Sequence, residues 1–267
     1  MTLFHLFLLA VIQGLTEFLP ISSSGHLILL PQLTALEDQG IILDVAVHVG
    51  TLLAVMLYFA RETGQAFRGL AHLATGHRST PEARLATLLI LATIPVVLAG
   101  AVLKLSGLAD AMRSVAVIGW TMLGFGLVLY WADRKGRMVK TSSEWSLRDA
   151  LIMGLWQALA LIPGTSRSGA TITGARALGY GREDAARLSM LMSIPTIIAS
   201  GSLLALDVVA SADAAAARDG VIAAVMAFVA ALFALSLMMR LLKSVSFMPY
   251  VIYRVILGAA LLIIAYS

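Results

Sequence analysis

Six stretches of this chain are too long and too apolar for a domain of 267 residues to bury them all away from water: Ile41–Ala60, Leu85–Leu103, Val115–Trp131, Leu188–Val209, Val221–Met239 and Tyr250–Tyr266. About 20 mostly apolar residues in a helix match the hydrocarbon thickness of a bilayer. Composition agrees, with 60% apolar and 13% charged residues, the latter about half the usual share of a soluble domain. Pro95 and Pro195 fall inside two of the stretches, which membrane helices tolerate because neighbours satisfy the freed backbone groups. Two further apolar stretches are shorter and broken. Leu3–Leu19 carries Gln13 and Glu17 and runs into Pro20, while Ala150–Ile162 carries Gln157 and runs into Pro163-Gly164. No Lys or Arg precedes Arg61, so the basic region of a cleavable signal peptide is missing. With no cysteine, disulfides, thiolate metal sites and thiol nucleophiles are excluded.

The formal charge of +4 is read as basic cytoplasmic loops rather than nucleic-acid binding. Arg61, Arg68, Arg78 and Arg84 fill the 61–84 loop. Arg134, Lys135, Arg137, Lys140 and Arg148 fill the next, and Arg240, Lys243 and Arg254 the 240–254 region. These three regions are expected inside. The 21–40, 104–114 and 207–220 regions, poor in net positive charge, are expected outside. Residues 149–187 then begin and end on the inner side, because span 188–209 must run outward. They form a re-entrant hairpin with its tip near Pro163–Gly169. Residues 1–40 are expected to do the same from outside.

The two tips are similar to one another. Gln13-GLTEFLPISSSGHLI and Gln157-ALALIPGTSRSGATI superpose at an offset of 144 residues (166 minus 22), placing Gln13 on Gln157, Ser22 on Ser166, Ser24 on Ser168, Gly25 on Gly169 and Ile28 on Ile172. Each half, about 1–131 and 149–267, becomes one hairpin plus three full crossings, and an odd number of crossings inverts the second half. The expected fold is one all-α integral membrane domain over 1–267, with six transmembrane helices and two re-entrant helical hairpins in an inverted-topology repeat. Such repeats hold their sites near the midplane, between non-helical tips.

Irregular backbone at membrane depth survives only inside protein or beside a watery cavity. Hydroxyls, glycines and successive N–H groups at Ser22, Ser23, Ser24, Gly25, Ser166, Ser168 and Gly169 suit an anion, aided by a helix N-terminus. Arg167 adds a planar fork for phosphate oxygens. Thr171 is a further candidate phosphate donor or a hydroxyl bonded to its own helix. Glu17 is the only acid of the first hairpin before its tip, with Gln13 on the same helical face; an ionisable group there is a functional candidate by default. His26 is a candidate base, acid or nucleophile. Asp44 and His48 share a face and either support the same cavity or form a separate buried pair, and Gln157 is the counterpart of Gln13.

At these residues the sequence resembles a known family. Gln13-GLTEFLPISSSGH-His26 is similar to the (Glu/Gln)-x-x-x-Glu motif and Pro-x-Ser-Ser-x-Gly-His tip of bacterial undecaprenyl pyrophosphate phosphatases of the BacA type, and Pro163-GTSRSGAT-Thr171 to their second motif; Leu43-DVAVHVGTLLAV-Val55 also looks family-like. The resemblance implies a multi-pass enzyme of the bacterial inner membrane, its site opening to the periplasm. It implies hydrolysis of undecaprenyl pyrophosphate to undecaprenyl phosphate and a divalent cation, Mg²⁺ or Ca²⁺. Glu17, Ser23, His26 and Arg167 would be catalytic. Gln13 takes the place of a second carboxylate, so the cation, held by Glu17 and Gln13, would bridge to pyrophosphate oxygens and keep waters. Ser23, His26 and water all stand as attacking groups. The partners to expect are the polyprenyl pyrophosphate and membrane lipids, with no nucleic acid and with a homodimer left open. The rival reading is a lipid-phosphate transporter, since broken helices in inverted repeats also mark transporters.

Overall fold

A computed structural model describes residues 2–23, 25–27, 30, 40–108, 112, 114–209 and 214–267. Among them are ten α-helices: α1 Leu3–Thr16, α2 Gly40–Tyr58, α3 Ala60–Ala74, α4 Pro81–Ser106, α5 Val115–Lys135, α6 Leu147–Leu159, α7 Arg167–Ala177, α8 Arg182–Val209, α9 Ala214–Leu241 and α10 Met248–Tyr266. Side chains set their starts. Thr2, Thr80, Ser114 and Ser146 each accept a backbone N–H three residues on, satisfying a donor the helix leaves unpaired. Helices α4, α5, α9 and α10 are each long and apolar enough to cross a membrane, and α2 with α3 forms a pair bent by 97°. The chain is an all-helical, multi-pass membrane protein, with no strand among the described residues.

Packing follows small residues, as it must where lipid tails are as apolar as leucine. A Cβ on Gly14 of α1 would overlap Ala230 of α9, and one on Gly154 of α6 would overlap Ala92 of α4. So α1 lies on α9 as α6 lies on α4, while α2 packs on α8 and α5 on α10. Contacts join the elements that flank each broken segment. Leu6 and Leu9 of α1 share a buried cluster with Leu43 and Val47 of α2 and Ala223 of α9. The Tyr180 hydroxyl donates to Asp149 Oδ2 at 2.7 Å, tying the segment after α7 to the start of α6. Burial, and then the bond to Asp149, push the Tyr180 phenol well above its usual range.

Asp133, at the end of α5, organises that end. It accepts Arg176 Nε at 3.1 Å, Arg182 Nε at 2.8 Å and the Phe247 N–H at 3.4 Å. One carboxylate thus joins α5, α7, α8 and the entry to α10. Arg187 of α8 likewise reaches Glu62 of α3 at 2.7 Å.

Two expectations are corrected. The stretch after Arg61 is not merely a loop, because Ala60–Ala74 folds as the amphipathic helix α3. Phe67 and Leu70 are 48% and 45% exposed on it, the disposition of a helix lying in a membrane interface. Arg254 does not belong to a basic loop. Helix α10 starts at Met248, and Arg254, in its second turn, is 0% exposed.

Removing Asp133 leaves Arg176 buried without its acid, and breaking a buried pair from one side costs about 3–5 kcal/mol. Asp133→Ala is therefore expected to lower the unfolding temperature in detergent strongly. Asp133→Asn, which keeps an acceptor oxygen, should lower it less.

Candidate active site at the two helix breaks

Helix α1 ends at Thr16 and the chain turns through residues 17–21 before helical backbone resumes at Ser23. Helix α6 ends at Leu159 and the chain turns before α7 begins at Arg167. Pro20 and Pro163 supply the breaks, since proline removes a donor and clashes with the preceding turn. The two tips are alike in detail. Ser22 has φ 75° and Ser166 φ 71°, and among the described residues these are the only non-glycine positions with positive φ. Each accepts a backbone N–H three residues on: Gly25 to Ser22 Oγ at 3.3 Å, and Gly169 to Ser166 Oγ at 3.1 Å. A non-glycine residue held in this region costs of order 1–3 kcal/mol and is typical of functional turns.

The tips meet at Glu17, which is 7% exposed. Its Oε2 accepts the Ser23 hydroxyl at 2.6 Å and Gln13 Nε2 at 3.0 Å. Its Oε1 accepts Arg167 Nη2 at 2.6 Å. His48 Nε2, from α2, stands 3.9 Å from Oε2, while His48 Nδ1 is bonded to the Asp44 carbonyl at 2.7 Å. Ser168 Oγ donates to the Leu19 carbonyl at 2.9 Å and lies 3.2 Å from Ser166 Oγ. Gln13, Ser23, Arg167 and His48 thus converge on one carboxylate, drawn from three separate segments.

His26 is held differently. Its Nδ1 lies 2.6 Å from the Ser22 carbonyl, which requires a proton there, and Nε2 then accepts the Tyr253 hydroxyl. The two rings stack at 12° with centroids 5.7 Å apart. The lone pair with which His26 would attack or take a proton is occupied. Tyr253 carried no signal in the sequence, because its importance comes only from α10 packing beside the first tip.

Other candidates are turned elsewhere. Thr171 is 0% exposed and lies 2.6 Å from Ser189 Oγ, with further bonds to the Arg167 and Ser168 carbonyls. It fixes the start of α7 to α8. Gln157 donates to the Ala92 carbonyl of α4 at 3.3 Å, so it serves helix packing and does not reach Glu17. Ser24 lies outside the described residues.

The arrangement can bind and cleave a phosphate ester or anhydride. A hydroxyl bonded to a carboxylate is the geometry of an activated nucleophile, and a guanidinium beside it suits phosphate oxygens. For a divalent cation, the described residues hold no cluster of three or more His, Asp or Glu. They offer instead the Glu17 carboxylate and Gln13 Oε1, a buried oxygen with no partner. That donor set fits a cation shared with substrate phosphates, as Mg²⁺ is usually held, and not a closed resident site.

The family model described as bacitracin resistance protein BacA matches residues 6–260. Curated relatives named undecaprenyl-diphosphatase include one from Ruegeria pomeroyi, 70% identical over 267 residues and the whole of both chains. Those from Jannaschia sp. and Dinoroseobacter shibae are each 67% identical over the same full length.

Proposed function

The chain belongs to the BacA family of bacitracin resistance proteins, and on that premise we propose that it hydrolyses undecaprenyl pyrophosphate to undecaprenyl phosphate and inorganic phosphate. The observation that carries a mechanism is the Ser23–Glu17–Arg167 contact, a hydroxyl and a guanidinium on the two oxygens of one buried carboxylate. Glu17 takes the Ser23 proton as Oγ attacks the terminal phosphorus. The bond from that phosphorus to the bridging oxygen breaks, and polyprenyl phosphate leaves. That proton passes from Glu17 to the departing polyprenyl phosphate, which restores the carboxylate; water then attacks the phosphoserine, Glu17 takes the water's proton and returns it to Ser23 Oγ, and inorganic phosphate leaves. Arg167 turns from Glu17 towards the phosphate oxygens as negative charge gathers there, the kind of stabilisation that dominates phosphoryl transfer. Tip N–H groups and the hydroxyls of Ser22, Ser166 and Ser168 line the same end. A divalent cation, Mg²⁺ or Ca²⁺, would sit on Glu17 and Gln13 and supply further neutralisation of the diphosphate.

The same reading places the enzyme in the bacterial inner membrane with six spans, two re-entrant hairpins and a site opening to the periplasm. The basic loops support this orientation by the positive-inside rule. The matching turns at Ser22 and Ser166 support an inverted repeat.

Purified protein in detergent, given the C55 pyrophosphate, should release phosphate; failure to do so would favour the transporter reading, since transport needs two compartments. Rapid quench should trap phosphate on Ser23, and Ser23→Ala should abolish trapping. Phosphate found on His26, or on no residue, would reject Ser23 as nucleophile.

Arg167→Lys replaces a fork by a point charge. Turnover is expected to fall by about 100-fold or more, the scale for losing one transition-state donor, with the unfolding temperature little changed.

Orientation has its own test, helped by the absence of cysteine. Single cysteines at Ser146 and Gly181 should both react only with a thiol reagent applied from the cytoplasm. Labelling from opposite faces would make residues 149–187 a full crossing and remove the inverted repeat.

A further inference from the structure

The least expected group in the structure is the Arg254 guanidinium. It is 0% exposed and, among the described residues, forms no ion pair; its partners are backbone carbonyls. Nε donates to Met122 O at 3.1 Å and Nη2 to Thr121 O at 3.3 Å, both on α5. Nη1 donates to Pro20 O at 3.3 Å and Nη2 to Gly164 O at 3.2 Å. Pro20 belongs to the first tip and Gly164 to the second. The two positions are 144 residues apart, the offset that superposes the tips. One planar fork therefore holds equivalent carbonyls of both breaks.

Its surroundings make room for it. A Cβ on Gly169 would stand 2.7 Å from Arg254 Nη1, and one on Gly126 of α5 would stand 3.2 Å from Arg254 Cβ. Gly169 reads from sequence as a phosphate-binding residue, but here its bareness admits the guanidinium. Broken helices expose carbonyls that water cannot reach at membrane depth, each costing several kcal/mol if unpaired. Lysine offers three donors around one point, whereas Arg254 uses a flat set spread over two nitrogens and Nε.

We propose that Arg254 is a positioning residue for phosphoryl transfer: it clamps the two tips to each other and to α5, fixing Ser23 and Arg167 on either side of Glu17 without touching the substrate. This rests on the hydrolase reading for its kinetic consequence, but the clamp itself can be read without turnover. A misplacement of about 1 Å in a reacting group can cost about 100-fold in rate. The loss should fall on kcat with KM little altered, because groups that bind the diphosphate remain present.

The test uses the full chain in detergent, with Arg254→Lys and Arg254→Met. Both should keep the elution profile of the parent and lose about 100-fold in kcat. Three reporter thiols, made singly in the cysteine-free chain, give the second readout. Thr165→Cys and Ile21→Cys sit in the two tips, and Ser193→Cys sits in α8. All three parent residues are buried. In the Arg254 variants the two tip thiols should label faster together, while the thiol at 193 keeps its rate. Acceleration at all three sites means general loosening and overturns the clamp, as does unchanged labelling at the tips or parental kcat in Arg254→Met. Should Arg254→Met fail to fold, Arg254→Lys decides by the same measurements. If the parent releases no phosphate, the hydrolase reading fails, and the labelling pattern alone still decides the clamp.

Discussion

Helices broken inside a packed bundle leave buried carbonyl oxygens that must find donors within the protein, and this requirement shapes most of the molecule. Four such oxygens can be followed. Leu19 O takes the Ser168 hydroxyl, Pro163 O takes the Thr121 hydroxyl, and Pro20 O and Gly164 O take Arg254. Each donor comes from a different segment than its acceptor, so satisfying the breaks also fastens the halves together. Several residues that look like ligands for an anion are thereby committed in part to the fold. Ser168 is a strut between the tips, and Thr171 is a bolt from α7 to α8.

The same economy governs charge. Glu17 is buried, and an ionised carboxylate at depth needs compensation. Arg167 supplies it from the second hairpin, while Ser23 and Gln13 fill the other oxygen from the first. The pair is poised rather than inert. In the mechanism we propose, a diphosphate that competes for Arg167 would take the guanidinium from Glu17 and make the carboxylate a better base when Ser23 must lose a proton. On that proposal, recognition of the substrate anion and activation of Ser23 would be one event.

Much of this was legible in the sequence, for reasons of length and charge. Five of the six apolar stretches sit within helices of the structure and the first, Ile41–Ala60, runs past the end of α2 at Tyr58 into the bend before α3, while the convergence of Glu17, Ser23 and Arg167 followed from matching two broken segments. What escaped has a common cause. Hydropathy averages out over α3, whose polar and apolar faces cancel, so an amphipathic helix looked like a loop. Counting charges along the chain cannot tell a solvated arginine from a buried one, which misplaced Arg254. The roles of Tyr253, Ser189 and Ala92 depend on contacts spanning 18 to 227 residues, and no local pattern encodes those. Gln157 shows that an equivalent position need not keep an equivalent contact, since it donates to Ala92 O where Gln13 donates to Glu17.

That divergence explains why two similar tips make one site rather than two. At the 144-residue offset Ser23 corresponds to Arg167, Glu17 to Leu161 and His26 to Ala170. The equivalent positions 23 and 167 face the two oxygens of one carboxylate, approaching Oε2 and Oε1 from opposite halves. A symmetric pair of arginines there would have no nucleophile, and a symmetric pair of serines would leave a buried anion uncompensated. A second glutamate at Leu161 would add another charge with no cation assigned to it. Only an asymmetric assignment brings the base, nucleophile and cation of the proposed mechanism around a single centre. Symmetry survives where the demand is structural, in the strained serines and in the carbonyls gripped by Arg254, and it is lost where the chemistry needs unlike groups.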